Sequence, residues 1–108
     1  MSLVTTHVLD TANGRPARTV PVALEAATDD GWRAVATGHT DDDGRVRDLG
    51  PESLNPGVYR LVFDTAAYLG QDAFFPEATI CFRISDGTAH HHVPLLLSPF
   101  AYSTYRGS

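Results

Sequence analysis

The sequence contains no lysine, a single cysteine, a single methionine and a single tryptophan, and it has no long apolar run. Each shortage excludes something. Without lysine there is no Schiff-base chemistry and no amine general base. Cys81 has no intrachain partner, so a disulfide framework is ruled out and a reducing compartment is the simpler setting. No stretch approaches the roughly 20 apolar residues of a membrane span. The opening MSLVTTHVLD shows neither the basic region nor the apolar segment of a secretory signal, and the closing Arg-Gly-Ser is not a peroxisomal tripeptide, so a cytoplasmic location is expected. Eight arginines face thirteen carboxylates, for a formal net charge of -5. That balance gives no electrostatic footprint for nucleic acid or an anionic membrane.

What remains is 108 residues, 43% of them hydrophobic, with five histidines, three of them consecutive. A chain of this length is one domain that buries about 65% of its unfolded surface, enough for one core. Seven prolines and nine glycines divide it into short apolar runs suited to strands. Alternation marks strands over Leu3–Leu9, Val20–Glu25, Trp32–Thr37, Arg45–Leu49, Gly57–Phe63, Thr79–Ile84, Thr88–Leu97 and Ala101–Tyr105. Asn13-Gly14, Asp29-Asp30-Gly31, Asp41-Asp42-Asp43-Gly44 and Asp86-Gly87 supply turns. Asp64 to Gly70 predicts one short helix, with Asp or Thr as its cap and Gly70 as its stop. About eight strands with turns every 8 to 12 residues make an all-β, two-sheet sandwich.

Histidine and arginine are the chemistry-bearing residues. His7 lies in the first strand, on a face with Leu3, Thr5 and Leu9, where a lone histidine is ordinarily structural. In His90-His91-His92 the pleat sends His90 and His92 to one face and His91 to the other, so at most two serve one site. Two such histidines with His7 would also suit zinc, although no helical metalloprotease motif or cysteine ligand accompanies them. Asp41, Asp42 and Asp43 read as a turn, because the full calcium-loop pattern is missing. Cys81 reads as a packed small residue. Arg45, directly after Gly44, is a solvated turn residue or a fixed donor for a developing oxyanion. The tail, Tyr102 to Ser108, is dense in hydrogen-bonding groups.

Taken together, Thr6-His7-Val8-Leu9-Asp10-Thr11, Thr40 to Arg45 (TDDDGR), Phe74-Phe75-Pro76-Glu77, His92-Val93-Pro94-Leu95-Leu96-Leu97-Ser98-Pro99 and Tyr105-Arg106-Gly107-Ser108 resemble the 5-hydroxyisourate hydrolases, the transthyretin-related enzymes of urate breakdown. The resemblance spans the whole chain. Transthyretin, the hormone carrier, shares the same ground but lacks counterparts of His7, Arg45, His92 and the Tyr-Arg-Gly-Ser end. A small-molecule carrier of the transthyretin type is therefore the alternative, and a structural zinc protein a more distant one.

The resemblance implies a transthyretin (prealbumin)-like sandwich in a single domain over residues 1–108, assembled as a homotetramer with sites at the dimer–dimer interface. It implies hydrolysis of 5-hydroxyisourate, a small purine-derived substrate, to 2-oxo-4-hydroxy-4-carboxy-5-ureidoimidazoline, with no metal or organic cofactor. His7, Arg45, His92 and Ser108 are implied as catalytic, and His7, Arg45, Tyr105 and Arg106 as substrate contacts. The chain departs from the family in having His91 where an aromatic is common and Ala101 where glycine is common.

Overall fold

Period-2 alternation of apolar residues dictates nearly every element. The structure, a computed structural model, describes residues 2–107. Its strands are β1 (Val4–Asp10), β2 (Arg15–Pro16), β3 (Pro21–Thr28), β4 (Gly31–His39), β5 (Arg45–Leu49), β6 (Gly57–Phe63), β7 (Ala78–Ile84), β8 (His91–Ser98) and β9 (Ala101–Thr104), with one helix, α1 (Ala66–Leu69). One sheet runs β2-β1-β8-β9 with β5 also paired to β1, and the other runs β4-β3-β6-β7. The expected two-sheet sandwich is therefore present, with the short β2 added: the turn after Asp10 closes a hairpin that pairs Leu9 with Pro16 and Asp10 with Arg15.

The inward faces of both sheets supply one core. Val4 and Val8 of β1 and Val93, Leu95 and Leu97 of β8 share it with Val22 and Leu24 of β3 and Tyr59, Leu61 and Phe63 of β6. Each large apolar side chain buried this way stabilises the fold by roughly 1.5–3 kcal/mol. Polar groups drawn into this interior are bonded. The Thr6 hydroxyl donates to the Val93 carbonyl (2.6 Å), and that of Thr40 donates to the Ala17 carbonyl while accepting from Val20 N–H (both 2.8 Å).

Two local expectations are corrected, and the choice of helix cap is decided. The last long strand begins at His91 rather than Thr88, because the Asp86 carboxylate accepts from both the backbone N–H and the hydroxyl of Thr88 and so prolongs the turn. Helix α1 is capped by Asp64, whose carboxylate accepts from Ala67 N–H, whereas the Thr65 hydroxyl turns away to the Phe75 carbonyl. Cys81 is exposed rather than packed. Its register partner is Arg60, on the outward face of β6, while Ile80 lies opposite the core residue Leu61.

The pairing that matters most for function is β1 with β8. These strands are parallel, and the register sets Thr5 beside His92 and His7 beside Pro94. On the other side of β1, antiparallel β5 sets Arg45 beside His7. Directly paired residues share a sheet face, and on β1 that face is the one opposite the core residues Val4 and Val8. His7, Arg45 and His92, distant in sequence, thus stand on one outward face of one sheet.

Candidate active site

The turn that delivers Arg45 is built by its aspartates. The Asp41 carboxylate accepts from the backbone N–H groups of Asp43 (2.9 Å) and Arg45 (3.0 Å) and from the Arg47 guanidinium (2.8 Å). These donors, the Arg45 N–H foremost, hold the Asp41 carboxyl below its ordinary range even though it is exposed. Asp43 also lies near Arg47 (3.8 Å), and Asp42 near Arg18 (3.7 Å). The three carboxylates thus have arginine and backbone partners. Among the described residues, no carboxylate forms an ion pair with the half-buried Arg45 guanidinium, which leaves its charge available.

Histidine 7 is fixed by the same turn. Its Nε2 lies 2.8 Å from the Asp43 carbonyl. A carbonyl only accepts, so Nε2 carries the proton and Nδ1 is left with its lone pair. Burial, and then the positive charge of Arg45, lower the His7 pKa from the ordinary value of 6.5.

His92 is held from two sides. Its Nδ1 lies 2.8 Å from the Thr5 hydroxyl, which also lies 2.9 Å from His90 Nε2, and the two imidazoles stack at 6.3 Å between centroids. From the tail, Gly107 N–H donates to the His92 carbonyl (2.8 Å) in an antiparallel bridge. Burial is the largest cause of a lowered His92 pKa, followed by Arg45, His90 and His7. Both histidines are accordingly neutral at pH 7, when an imidazole can accept a proton. His91 faces the other way as expected. It is buried, with its Nδ1–H donating to the Ala89 carbonyl (2.6 Å).

A cleft of about 260 Å³ opens beside these groups, lined by Thr5, Thr6, Arg45, Val46, Arg47, His90 and His92. The structure therefore brings together Arg45 and His92, with His7 next to Arg45 in register. It does not bring Tyr105 and Arg106 there. They line a separate groove of about 220 Å³ with Phe82, Arg83 and His91, and His92 alone is common to both. Ser108 lies outside the described residues.

Sequence reasoning missed three contributors: Thr5, the Asp43 carbonyl and Gly107. Thr5 was visible as a face-mate of His7, but its partner histidines appear only once β1 and β8 pair. Gly107 is needed for space. A β-carbon there would sit 2.5 Å from His92 Cδ2 and 3.2 Å from Cγ. Gly107→Ala should therefore displace the imidazole and lower kcat about tenfold while leaving the melting temperature nearly unchanged, since general-base catalysis demands hydrogen-bond reach. Wild-type kcat in that variant would show that the tail does not position His92.

This chain sets an arginine with no carboxylate partner among its described residues beside two neutral histidines on an outward sheet face. It is 49% identical over 111 residues to 5-hydroxyisourate hydrolase of Salmonella dublin, covering 99% of this chain and 82% of that one. Its fold matches the 5-hydroxyisourate hydrolase of Klebsiella pneumoniae with a TM-score of 0.86 at 35% identity over the whole of both chains. It also matches transthyretin from Sparus aurata with a TM-score of 0.89 at 36% identity, covering 99% of this chain and 97% of that one. The family model described as HIUase/Transthyretin spans residues 4–107, and to that family the chain belongs.

Proposed function

We propose that the protein is a 5-hydroxyisourate hydrolase that acts in urate degradation. The observation that carries the reading is the Arg45 guanidinium, without a carboxylate partner among the described residues, set among neutral imidazoles on one sheet face. A carrier of hydrophobic ligands gains nothing from burying such groups, since a desolvated charge is costly. Water is a poor nucleophile at neutral pH and needs a base. His92 takes its proton at Nε2 as the oxygen attacks a ring carbonyl. Arg45 stabilises the negative charge that develops on the carbonyl oxygen. The proton then goes to the leaving ring nitrogen as the carbon–nitrogen bond breaks. His7, tied to the Asp43 carbonyl, keeps its Nδ1 lone pair for the water or the substrate edge.

The assembly in this reading is a homotetramer with the sites where two dimers meet. Leu9 and Leu96 are only half-buried and lie on the same face as His7, a surface suited to cover by another copy. In that assembly Tyr105 and Arg106 contact substrate, and Ser108 orients the base or the water. No helix among the described residues is long and apolar enough to cross a membrane, and the proposed location is cytoplasmic.

The test is a spectrophotometric assay in which urate oxidase generates 5-hydroxyisourate and added protein accelerates its disappearance. Acceleration that survives a strong chelator is expected and would remove the zinc alternative. Binding without acceleration would make the protein a carrier. The acid limb of kcat/KM supplies a second check. With both histidines depressed, the neutral base persists as pH falls through 6.5, so half-maximal activity should lie below pH 6.5. A midpoint above 6.5 would contradict a depressed histidine base.

A further inference from the structure

We propose that Thr5 and His90 form a proton relay behind His92, which sets the tautomer of the base and carries its proton toward solvent. The inference rests on the hydrolytic reading above and adds a task for His90, which lies outside the family-implied catalytic set.

Hydrogen-bond accounting drives it. One hydroxyl, Thr5 Oγ1, stands 2.8 Å from His92 Nδ1 and 2.9 Å from His90 Nε2. A hydroxyl has one proton to give and two lone pairs to receive with. If both nitrogens were bare, only one contact would be a hydrogen bond. Two imidazole N–H groups donating into the two lone pairs would satisfy both contacts but carry no proton onward, so a relay requires a single chain of donors, which leaves two arrangements. In one, His92 Nδ1–H donates to Thr5, and Thr5 donates to His90 Nε2. In the other the whole direction is reversed. The first leaves His92 Nε2 bare, as a base; the second puts a proton there, as an acid.

Catalysis uses the change from one to the other. When water gives a proton to His92 Nε2, the imidazolium passes its Nδ1 proton to the Thr5 oxygen. The Thr5 proton moves to His90 Nε2. One proton has entered at His92 and one has arrived at His90; Thr5 is unchanged, and His92 is neutral with its proton on Nε2, directed at the leaving nitrogen. As the Nε2 proton passes to that nitrogen, a proton returns in the same step from His90 through Thr5 to Nδ1, so His92 stays neutral and the resting arrangement is restored.

The surroundings favour this direction. The groups that face His92 are Arg45 from β5, His7 and Thr5 from β1, His90 ahead of β8, and the Gly107 backbone from the tail. Arg45 opposes a lasting positive charge on His92. His90 is exposed and can exchange its proton with water. His90 and Thr5 are positioning residues here, because they act through His92.

The experiment uses the full chain with ¹⁵N-labelled histidine and the variants Thr5→Val, Thr5→Ser and His90→Phe. In the unaltered protein His92 should carry its proton on Nδ1. Thr5→Val removes the acceptor, and His90→Phe frees the Thr5 proton to donate to Nδ1, so both should move the His92 proton to Nε2. Thr5→Ser should keep it on Nδ1. Kinetically, Thr5→Val and His90→Phe should lower kcat about tenfold or more with KM within about twofold, and Thr5→Ser should restore the rate. In heavy-water mixtures the proton inventory of kcat should be curved for the unaltered protein and linear for His90→Phe.

A resting His92 already protonated at Nε2 overturns the relay, as does a His90→Phe variant with unchanged tautomer and rate. A rate loss accompanied by an unaltered tautomer and a raised KM assigns His90 a packing role and overturns it equally. If the unaltered protein fails to turn over 5-hydroxyisourate, the functional reading falls, and the tautomer measurement still decides the coupling among the three residues.

Discussion

Arg45→Ala and His92→Ala should each reduce turnover of freshly generated 5-hydroxyisourate at least 100-fold. The two losses have different causes. Removing His92 takes away the group that accepts the water proton, and positioned general bases contribute about 10²–10⁴-fold. Removing Arg45 takes away the charge aimed at the developing oxyanion, a loss of about 10²–10³-fold in comparable sites. His92→Ala should act mainly on kcat. Arg45→Ala should act on kcat and KM together, because a half-buried cation also attracts the substrate's polar edge. Lysine is a poor replacement, as its compact ammonium does not reproduce the planar donor fork. The double variant should lose less than the product of the single losses, as groups serving one step are not additive. Both variants should fold, since neither side chain belongs to the core. Near-normal rates in both would refute the mechanism.

The largest stability effect is expected at Gly44. This residue has φ +75, and a β-carbon there would lie 2.5 Å from the Val8 carbonyl oxygen and 3.0 Å from Pro16 Cβ. Its own carbonyl accepts from Val8 N–H (2.7 Å), so the backbone has no easy route of escape. A left-handed conformation costs a non-glycine residue about 1–2 kcal/mol. The clash with backbone atoms adds to this, for a total of about 3 kcal/mol or more in Gly44→Ala. For a domain of this size that lowers the melting temperature by about 15 °C. Gly14→Ala is the control. Its φ is +66 with nothing within 4 Å, so it should show the conformational cost alone, about 5 °C. Equal melting temperatures for the two variants would show that the close approach at Gly44 has no energetic weight. Because Gly44 directly precedes Arg45, the same variant should also lose activity.

Much of this architecture was legible in the residues. Alternation located β6 to the residue, because Tyr59, Leu61 and Phe63 face the core at period 2, while β5, whose buried Val46 and Leu49 are three apart, was bounded by Gly44 and Gly50-Pro51. It also separated His91 from its neighbours. Strand β2 escaped because two residues carry no period. The start of β8 was misplaced because the Asp86 side chain competes for the backbone at Thr88, an interaction that composition does not rank. Cys81 was misread because β7 exposes one face, and small apolar residues look alike on either side.

The site was legible by resemblance and by residue type, and its wiring was not. Nothing at Thr5 announces that one hydroxyl stands between two histidines 85 and 87 positions away. That fact needs a parallel register, which no local pattern encodes. Similarly, the Asp43 backbone carbonyl that fixes His7 is invisible to any reasoning about side chains.

The parallel pairing of β1 with β8 has a consequence for the life of the chain. Residues 4–10 leave the ribosome some eighty residues ahead of the strand that pairs with them in the sheet. Contacts of such separation form slowly, since a long loop must close before they repay its entropy. During synthesis the first strand, carrying Val4, Val8 and Leu9, waits with one flank open to other chains. Assembly of the three chemistry-bearing residues therefore has to wait for β8, and a nascent chain stalled before His92 holds a first histidine and an arginine but no site.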